Sequence, residues 1–222
     1  MSTPIGVVGL GNMGLPIVAR LVGTGHGVVA LARNETKAAA AQKLGATVVA
    51  GGPVGVEQAT LAVMAGGEPG ALDRAVEVVA PFTGRFVRCG PSGSGQVAKA
   101  CNQLVVVTTL QVVSEALVLA KAAGADVSAV REALLGGFAA SRILELQGQR
   151  MIDSDFAPRG TVKMQRKDVH VIEDLARQSG ITALPAFNVA AANVVRLDEN
   201  GGGGLNHAAL ITVLEQDTGV TL

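Results

Sequence analysis

Short apolar runs alternate with helical stretches in the first part of the chain, and glycine residues separate them. Runs of Val, Ala and Ile predict strands, whereas apolar positions at helical spacing predict helices. The predicted strands are 5–9, 28–32, 47–50, 61–66 and 85–88, and the predicted helices are 13–23, 35–44 and 69–80. This alternation predicts an α/β unit over residues 1–91.

The pattern is helical throughout after residues 91–95. A long helix is predicted from 95 to 123, ending at Gly124, and Asp126 is placed to cap the next helix. Further helices are predicted at 140–151, 161–179, 184–198 and 205–216, with Gly180 as a C-cap and a loose loop at 201–204. The sequence therefore predicts an all-α unit over residues 92–222, joined to the first unit by the long helix.

A glycine-rich turn lies between the first predicted strand and the first predicted helix. Its residues are Gly9, Leu10, Gly11, Asn12, Met13 and Gly14. In a strand–turn–helix context this G-x-G-x-x-G spacing is the dinucleotide-binding fingerprint, because glycine lets the backbone approach a pyrophosphate at the helix start. The alternative is a tight turn that binds nothing. The sequence thus predicts a Rossmann-type unit.

The end of the second predicted strand distinguishes between the two nicotinamide cofactors. An NAD site places Asp or Glu there to hold the ribose 2′-hydroxyl. This chain has Arg33 and Asn34 instead, with Lys37 one turn later. Because guanidinium pairs well with phosphate, the sequence favours NADP(H) over NAD(H). A solvent-exposed loop charge is the alternative for Arg33.

Composition excludes several classes of protein. The 222 residues carry 18 basic and 18 acidic side chains, so no broad basic surface for nucleic acid or anionic lipid is expected. The uncharged run 100–114 is too short and polar for a membrane span, which favours a buried core helix. Cys89 and Cys101 do not have the spacing of metal ligands, so no metal is expected. Free thiols are typical of proteins in a reducing compartment such as the cytoplasm. A strand beginning by Ile5 leaves no room for a signal peptide.

The absence of tyrosine from the chain excludes reductases that use a tyrosine proton donor. Histidine is rare, and His170 and His207 are predicted to be surface or capping residues.

Candidate catalytic residues lie instead on the long helix, where Lys99, Asn102 and Gln103 share one face and Gly95 opens space one turn earlier. A buried lysine can protonate a carbonyl oxygen as hydride reaches the carbon, and an amide can hold the substrate. The alternative is an ordinary solvent-exposed lysine.

Several blocks together resemble the β-hydroxyacid dehydrogenases of the 6-phosphogluconate dehydrogenase-like superfamily. They are, in family order, residues 9–16, 33–37, 95–103, 136–141, 155–158 and 167–169. Asn102-Gln103 and the run 136–141 are most similar to the tartronate semialdehyde reductase branch. The resemblance implies that Lys99 is the catalytic acid/base, that Asn102 contacts substrate, and that Lys167 reaches the cofactor. It also implies a substrate loop at Gly51 and Gly52 and a pocket role for Ser141. Imine reductases share the architecture but typically lack lysine at position 99.

The first unit is shorter than the family pattern. A doubly wound domain needs two βαβαβ halves, and at roughly 30 residues per βαβ unit residues 1–91 are too few. Residues 45–50 resemble the family's third strand, and residues 51–55 resemble the segment after its sixth strand, so an internal segment after Ala50 is missing. Three explanations stay open: completion of the site by a partner subunit, weak binding without turnover, or an altered gene.

Two functions are consistent with the sequence. One is hydride transfer between NADP(H) and a small β-hydroxy acid or semialdehyde. The other is a catalytically impaired family member that acts as a nucleotide-binding or structural homodimer. A homodimer is expected in both cases, because the helix over 100–118 is apolar on nearly all sides.

Overall fold

A computed structural model of the chain describes residues 5–8, 14–25, 28–31 and 58–222. The predicted helix 35–44 and strand 47–50 lie outside the described residues. The chain divides into two compact units, Met1–Ala98 and Lys99–Leu222. The division falls within the long helix, a few residues after the boundary that the sequence pattern predicts.

The first unit opens with a strand–helix–strand arrangement. Strand β1 (Ile5–Val8) pairs in parallel with β2 (Val28–Leu31), and helix α1 (Gly14–Gly23) lies between them in the chain. Parallel neighbours need such a crossover, so the predicted βαβ order is confirmed. On α1, Ile17 and Leu21 lie one turn apart and pack with Phe82 in a small apolar cluster.

A second parallel pair follows in the same unit. Strand β3 (Leu61–Gly66) pairs with β4 (Thr83–Gly90), with helix α2 (Pro69–Val79) and the 3₁₀ turn Ala80–Phe82 between them. Strand β4 is longer than the predicted 85–88. Thr83 and Gly90 extend it at its two ends, because they pair with Leu61 and Gly66 of the neighbouring strand.

Two glycines allow the end of β3 to approach the start of the long helix. A Cβ atom on Gly66 would lie 2.4 Å from the carbonyl oxygen of Pro91, and one on Gly95 would lie 2.5 Å from that of Met64. Both distances are far below any real Cβ contact. The absence of a side chain at Gly95 therefore accommodates the Met64 backbone, a different neighbour from the Lys99 side chain that the sequence suggested.

The second unit is all-helical, as predicted. Its helices, in chain order, are α3 (Ser94–Ala122, which begins in the first unit), α4 (Val127–Leu135), α5 (Arg142–Ile152), α6 (Val162–Gln178), α7 (Pro185–Glu199) and α8 (Ile211–Thr218). The Asp126 side chain caps α4 by accepting hydrogen bonds from the backbone N–H groups of Ser128 and Ala129. Gly180 has a φ of +70°, which is the left-handed conformation expected after a helix end.

The C-terminal segment differs from its prediction. The expected helix 205–216 is a 3₁₀ turn (His207–Leu210) followed by α8, because the buried Asn206 side chain accepts from the Ala208 N–H and fixes the turn. The loop predicted at 201–204 contains a second 3₁₀ turn, Gly202–Gly204. It is tightly packed, since a Cβ on Gly202 would lie 2.6 Å from the Leu197 side chain.

Helix α3 contributes one face to the core of the second unit. Val107, Leu110 and Leu117 are fully buried among side chains of the other helices. By length and composition alone, α3 could cross a membrane, since it has 29 residues and an 18-residue stretch with a mean hydropathy of 1.7. The uncharged stretch 100–114, from which a core helix was predicted, is only part of this helix. Core helices of soluble proteins have the same length and composition, and one face of α3 is buried in the core of the second unit.

Candidate functional site

Three polar side chains of α3 lie close together at the point where the helix enters the second unit. The Nζ ammonium of Lys99 donates a hydrogen bond of 2.9 Å to Oε1 of Gln103, and Nδ2 of Asn102 donates another of 2.9 Å to the same oxygen. The i, i+3, i+4 spacing therefore brings these side chains together on one helix face, as the sequence suggested.

A fourth side chain joins this group from helix α6. The Nε2 amide of Gln103 donates a hydrogen bond to Oδ2 of Asp168. Asp168 and the central role of Gln103 were missed by the sequence analysis. The block 167–169 was noticed, but nothing in a single sequence pairs it with a residue of α3.

Burial differs across the group. Lys99 and Asn102 are exposed, whereas Gln103 and Asp168 are half-buried. The burial that the sequence argument required of Lys99 is thus not present in this chain alone. The arrangement presents an ammonium and an amide at the surface of the second unit, both hydrogen-bonded to Gln103, whose own NH₂ group donates to the Asp168 carboxylate. Such a group can bind an oxygen-rich ligand and deliver a proton to it.

Lys167 precedes Asp168 on α6 and has different surroundings. Its side chain is exposed. Among the residues that the structure describes, it has no hydrogen-bond or ion-pair partner. Its charge is therefore available for an anionic ligand, as the predicted contact with a cofactor requires.

Ser141 has a structural role that the sequence did not reveal. It is the N-cap of α5, where its Oγ accepts a hydrogen bond of 3.0 Å from the Leu144 N–H. Its side chain is half-buried, and the described hydrogen bonds do not link it to Lys99. The hydroxyl proton is still free to donate.

Most predicted cofactor residues lie outside the described residues. These are Gly9, Leu10, Gly11, Asn12, Met13, Arg33, Asn34 and Lys37, together with the substrate-loop residues Gly51 and Gly52. Gly14 is the first residue of α1. The elements on either side fit a dinucleotide, because the fingerprint requires a parallel strand before the turn and a helix directly after it.

A histidine contacts a buried glutamine elsewhere in the second unit. His207 is half-buried, and its Nδ1 lies 3.2 Å from Oε1 of the buried Gln165. Burial, and secondarily the charge of Arg150, lowers the pKa of His207 to about 4. The prediction of a surface or capping histidine is therefore wrong here, because Asn206 takes the capping role; His170 is exposed as predicted.

Metal-binding features are lacking in the described part of the chain. Within residues 5–8, 14–25, 28–31 and 58–222, no group of three or more His, Cys, Asp or Glu side chains could hold a metal ion. Cys89 and Cys101 are free cysteines. The candidate site itself presents amine, amide and carboxylate groups.

Comparison with known families gives two matches along the chain. The family described as the NAD-binding domain of NADP-dependent 3-hydroxyisobutyrate dehydrogenase matches residues 93–214, which is more than half of the chain. The NAD binding domain of 6-phosphogluconate dehydrogenase matches residues 4–50. The second match ends at the residue where the sequence analysis places the junction.

Individual relatives agree with these matches. The chain is 37% identical over 173 residues to 2-hydroxy-3-oxopropionate reductase of Escherichia coli, covering 75% of this chain and 57% of that protein. It is 32% identical over 174 residues to a probable 3-hydroxyisobutyrate dehydrogenase-like protein of Arabidopsis thaliana, covering 78% and 52%. The chain thus spans little more than half the length of these curated relatives.

A solved structure shows the same fold. The 3-hydroxyisobutyrate dehydrogenase of Mycobacterium tuberculosis, determined with L-serine, superposes with a TM-score of 0.83 at 24% identity, over 96% of this chain and 99% of that chain. This similarity supports a shortened Rossmann-type unit followed by an all-helical unit.

Proposed function

The chain belongs to the β-hydroxyacid dehydrogenase family, and we propose that it transfers a hydride between NADP(H) and a small β-hydroxy acid or the matching semialdehyde. Tartronate semialdehyde and 3-hydroxyisobutyrate are the substrates that the relatives suggest. The observation that carries the proposal is the hydrogen bond from Lys99 to Gln103, because it holds an ammonium beside amide groups in a segment that matches the family.

Lys99 is the proposed acid and base. NADP(H), when bound, supplies or accepts the hydride. In the reducing direction Lys99 donates a proton to the carbonyl oxygen as negative charge develops there, and in the oxidising direction it accepts the hydroxyl proton. Gln103 occupies one of the three N–H donors of the ammonium and leaves the others for substrate.

Asn102 is the proposed substrate-binding neighbour. Its Nδ2 group donates to Gln103, which directs the amide so that Oδ1 is left for other partners. An amide oxygen accepts a hydrogen bond from a substrate hydroxyl. The Ser141 hydroxyl and the backbone of Gly51 and Gly52 complete the proposed substrate set.

The cofactor preference is also part of the proposal. The N–H groups at the start of α1, with the glycine turn 9–14, would hold the pyrophosphate. Arg33, Asn34 and Lys37 would hold the 2′-phosphate of NADP(H) in preference to the hydroxyl of NAD(H). Lys167 would contribute a further positive charge from the second unit.

A homodimer in the cytoplasm is the proposed state. Three apolar side chains of α3, Val105, Val112 and Leu119, are 61%, 55% and 70% exposed. They are spaced by seven residues and therefore form one stripe along the helix, which we call the α3 stripe. A second copy of the chain is the proposed cover for the α3 stripe.

One observation favours the alternative function, a catalytically impaired homodimer. The matched stretch covers only 57% of the reductase from Escherichia coli, and the match to the 6-phosphogluconate dehydrogenase domain stops at residue 50. A chain without the second half of its nucleotide-binding unit could retain the pyrophosphate contacts and lose turnover.

A steady-state assay separates the two functions. NADP⁺ is supplied with D-glycerate or 3-hydroxyisobutyrate, and NADPH formation is followed. We expect turnover in the wild-type chain and a loss of about 10²- to 10⁴-fold in Lys99→Ala, the range for removal of a general acid. Lys121→Ala, at the far end of the same helix, is the matched control. A dimer without turnover on either acid supports the alternative, and equal rates for Lys99→Ala and wild type contradict the role of Lys99.

A further inference from the structure

Gln103 lies at the centre of a hydrogen-bonded chain that joins two helices of the second unit. Its Oε1 accepts hydrogen bonds from Lys99 and Asn102, and its Nε2 donates to the Asp168 carboxylate. One amide therefore bridges a positive charge on α3 and a negative charge on α6. Asp168 contacts neither Lys99 nor Asn102 by a described hydrogen bond.

The two charges fix the orientation of the Gln103 amide. A half-turn of that amide would place its oxygen against the carboxylate of Asp168 and its NH₂ group against the ammonium of Lys99. Two acceptors would then face each other, as would two donors, and all of these hydrogen bonds would be lost. Hydrogen bonds to charged groups are the stronger class, so the observed orientation is strongly favoured.

We propose that Asp168 is a positioning residue that orients the Gln103 amide and, through it, holds the Lys99 ammonium and the Asn102 side chain in place. Asp168 is half-buried on α6, whereas Lys99 and Asn102 are exposed. Without its carboxylate, the Nε2 group of Gln103 loses its acceptor and the amide is free to rotate. The common acceptor of Lys99 and Asn102 then moves away from them.

The inference rests on the proposed function only for its catalytic consequence. The positioning itself is a property of the chain without cofactor or substrate. It is tested by NMR measurement of solvent exchange at the side-chain NH₂ groups of Gln103 and Asn102 in the free protein. Their signals are assigned from their loss in Gln103→Leu and Asn102→Leu.

Solvent exchange at the Asn102 NH₂ group is the decisive measurement, because this group is hydrogen-bonded to Gln103 and not to Asp168. In Asp168→Leu we expect exchange at both NH₂ groups to rise by about tenfold, because Gln103 loses its bond to the carboxylate and Asn102 loses its bond to the Gln103 oxygen. Asp168→Asn keeps an oxygen acceptor and is expected to give a smaller rise. Asp174→Leu, an exposed acidic residue of the same helix, is the control and is expected to leave both rates unchanged.

The outcomes separate the inference from the proposed function. Unchanged exchange at Asn102 in Asp168→Leu overturns the inference, whatever the activity. If Asp168→Leu does not fold, Asp168→Asn decides, and wild-type exchange at Asn102 in that variant overturns the inference. If the wild-type chain turns over, we also expect a fall of about tenfold in kcat for Asp168→Leu with the NADPH dissociation constant unchanged. A wild-type chain without turnover contradicts the proposed function alone.

Discussion

The side-chain amide of Asn193 on α7 donates a hydrogen bond of 3.0 Å to Oε1 of Gln111 on α3. Gln111 is 3% exposed, and its Nε2 group donates to Glu115 on its own helix. Both polar ends of a buried side chain are thus paired. This bond links α3 to α7.

Removal of the donor should destabilise the second unit. Asn193→Ala leaves the buried Gln111 oxygen without its partner, which costs about 1–3 kcal/mol of unfolding free energy. The measurement is urea unfolding followed by circular dichroism. Asn188→Ala, an exposed asparagine of the same helix, is the control. An equal stability of Asn193→Ala and Asn188→Ala would show that the bond contributes nothing.

Stability should depend on pH through His207. Its pKa is lowered to about 4 in the folded state, mainly by burial, from an ordinary value of 6.5. Between these values the unfolded chain binds the proton more readily, so this contribution is present above pH 6.5 and is lost as the pH falls towards 4. The full difference is about 3 kcal/mol, since one pKa unit corresponds to ~1.4 kcal/mol.

The test compares wild type with His207→Gln. Urea unfolding at a series of pH values should show a steeper loss of stability for the wild type between pH 6.5 and 4, because only the wild type carries this titration. Curves that run parallel through that range would refute the assignment. An NMR titration of the ring protons of His207 gives its pKa directly.

The dimer should depend on the α3 stripe. A double variant, Val112→Lys with Leu119→Lys, places two charges on it, and burying unpaired charges is strongly unfavourable. We expect the wild-type chain to be a dimer and the variant a folded monomer in light scattering at micromolar concentration. Ala129→Lys, on an exposed position of α4, is the control and should stay dimeric. A monomeric wild type would contradict the proposed dimer.

Arg33 should determine the choice between the two cofactors. Arg33→Asp replaces the cation proposed to meet the 2′-phosphate by an anion, so NADPH binding should weaken more than NADH binding. Dissociation constants for both cofactors, measured by fluorescence titration, give the comparison. Equal losses for NADPH and NADH would contradict the role of Arg33.

Apolar spacing predicted the helices of the second unit well, because each helix buries one face in a shared core. The helix caps at Asp126 and Gly180 could also be predicted, because a cap depends on residues that are close to it in the sequence. Segment 201–210 was harder to predict, because its 3₁₀ turns depend on packing against Leu197 and on the buried Asn206. The conformation of that segment is determined by tertiary contacts rather than by local propensity.

The same distinction holds for the site. Lys99, Asn102 and Gln103 could be grouped from spacing alone, since they lie within one turn. Asp168 could not, because it lies 65 residues from Gln103 in the sequence and meets it only through the packing of α6 against α3. The family resemblance implied a pocket role for Ser141, but the N-cap hydrogen bond that it makes on α5 is an equally good reason for a serine at this position.

The proposed function depends on NADPH binding by a chain whose nucleotide-binding unit is shortened. Isothermal titration calorimetry of the wild-type chain with NADPH tests it most directly. We expect saturable heat with one NADPH per chain and weaker binding of NADH. No saturable heat with NADPH, from a chain shown to be folded by circular dichroism, would contradict it.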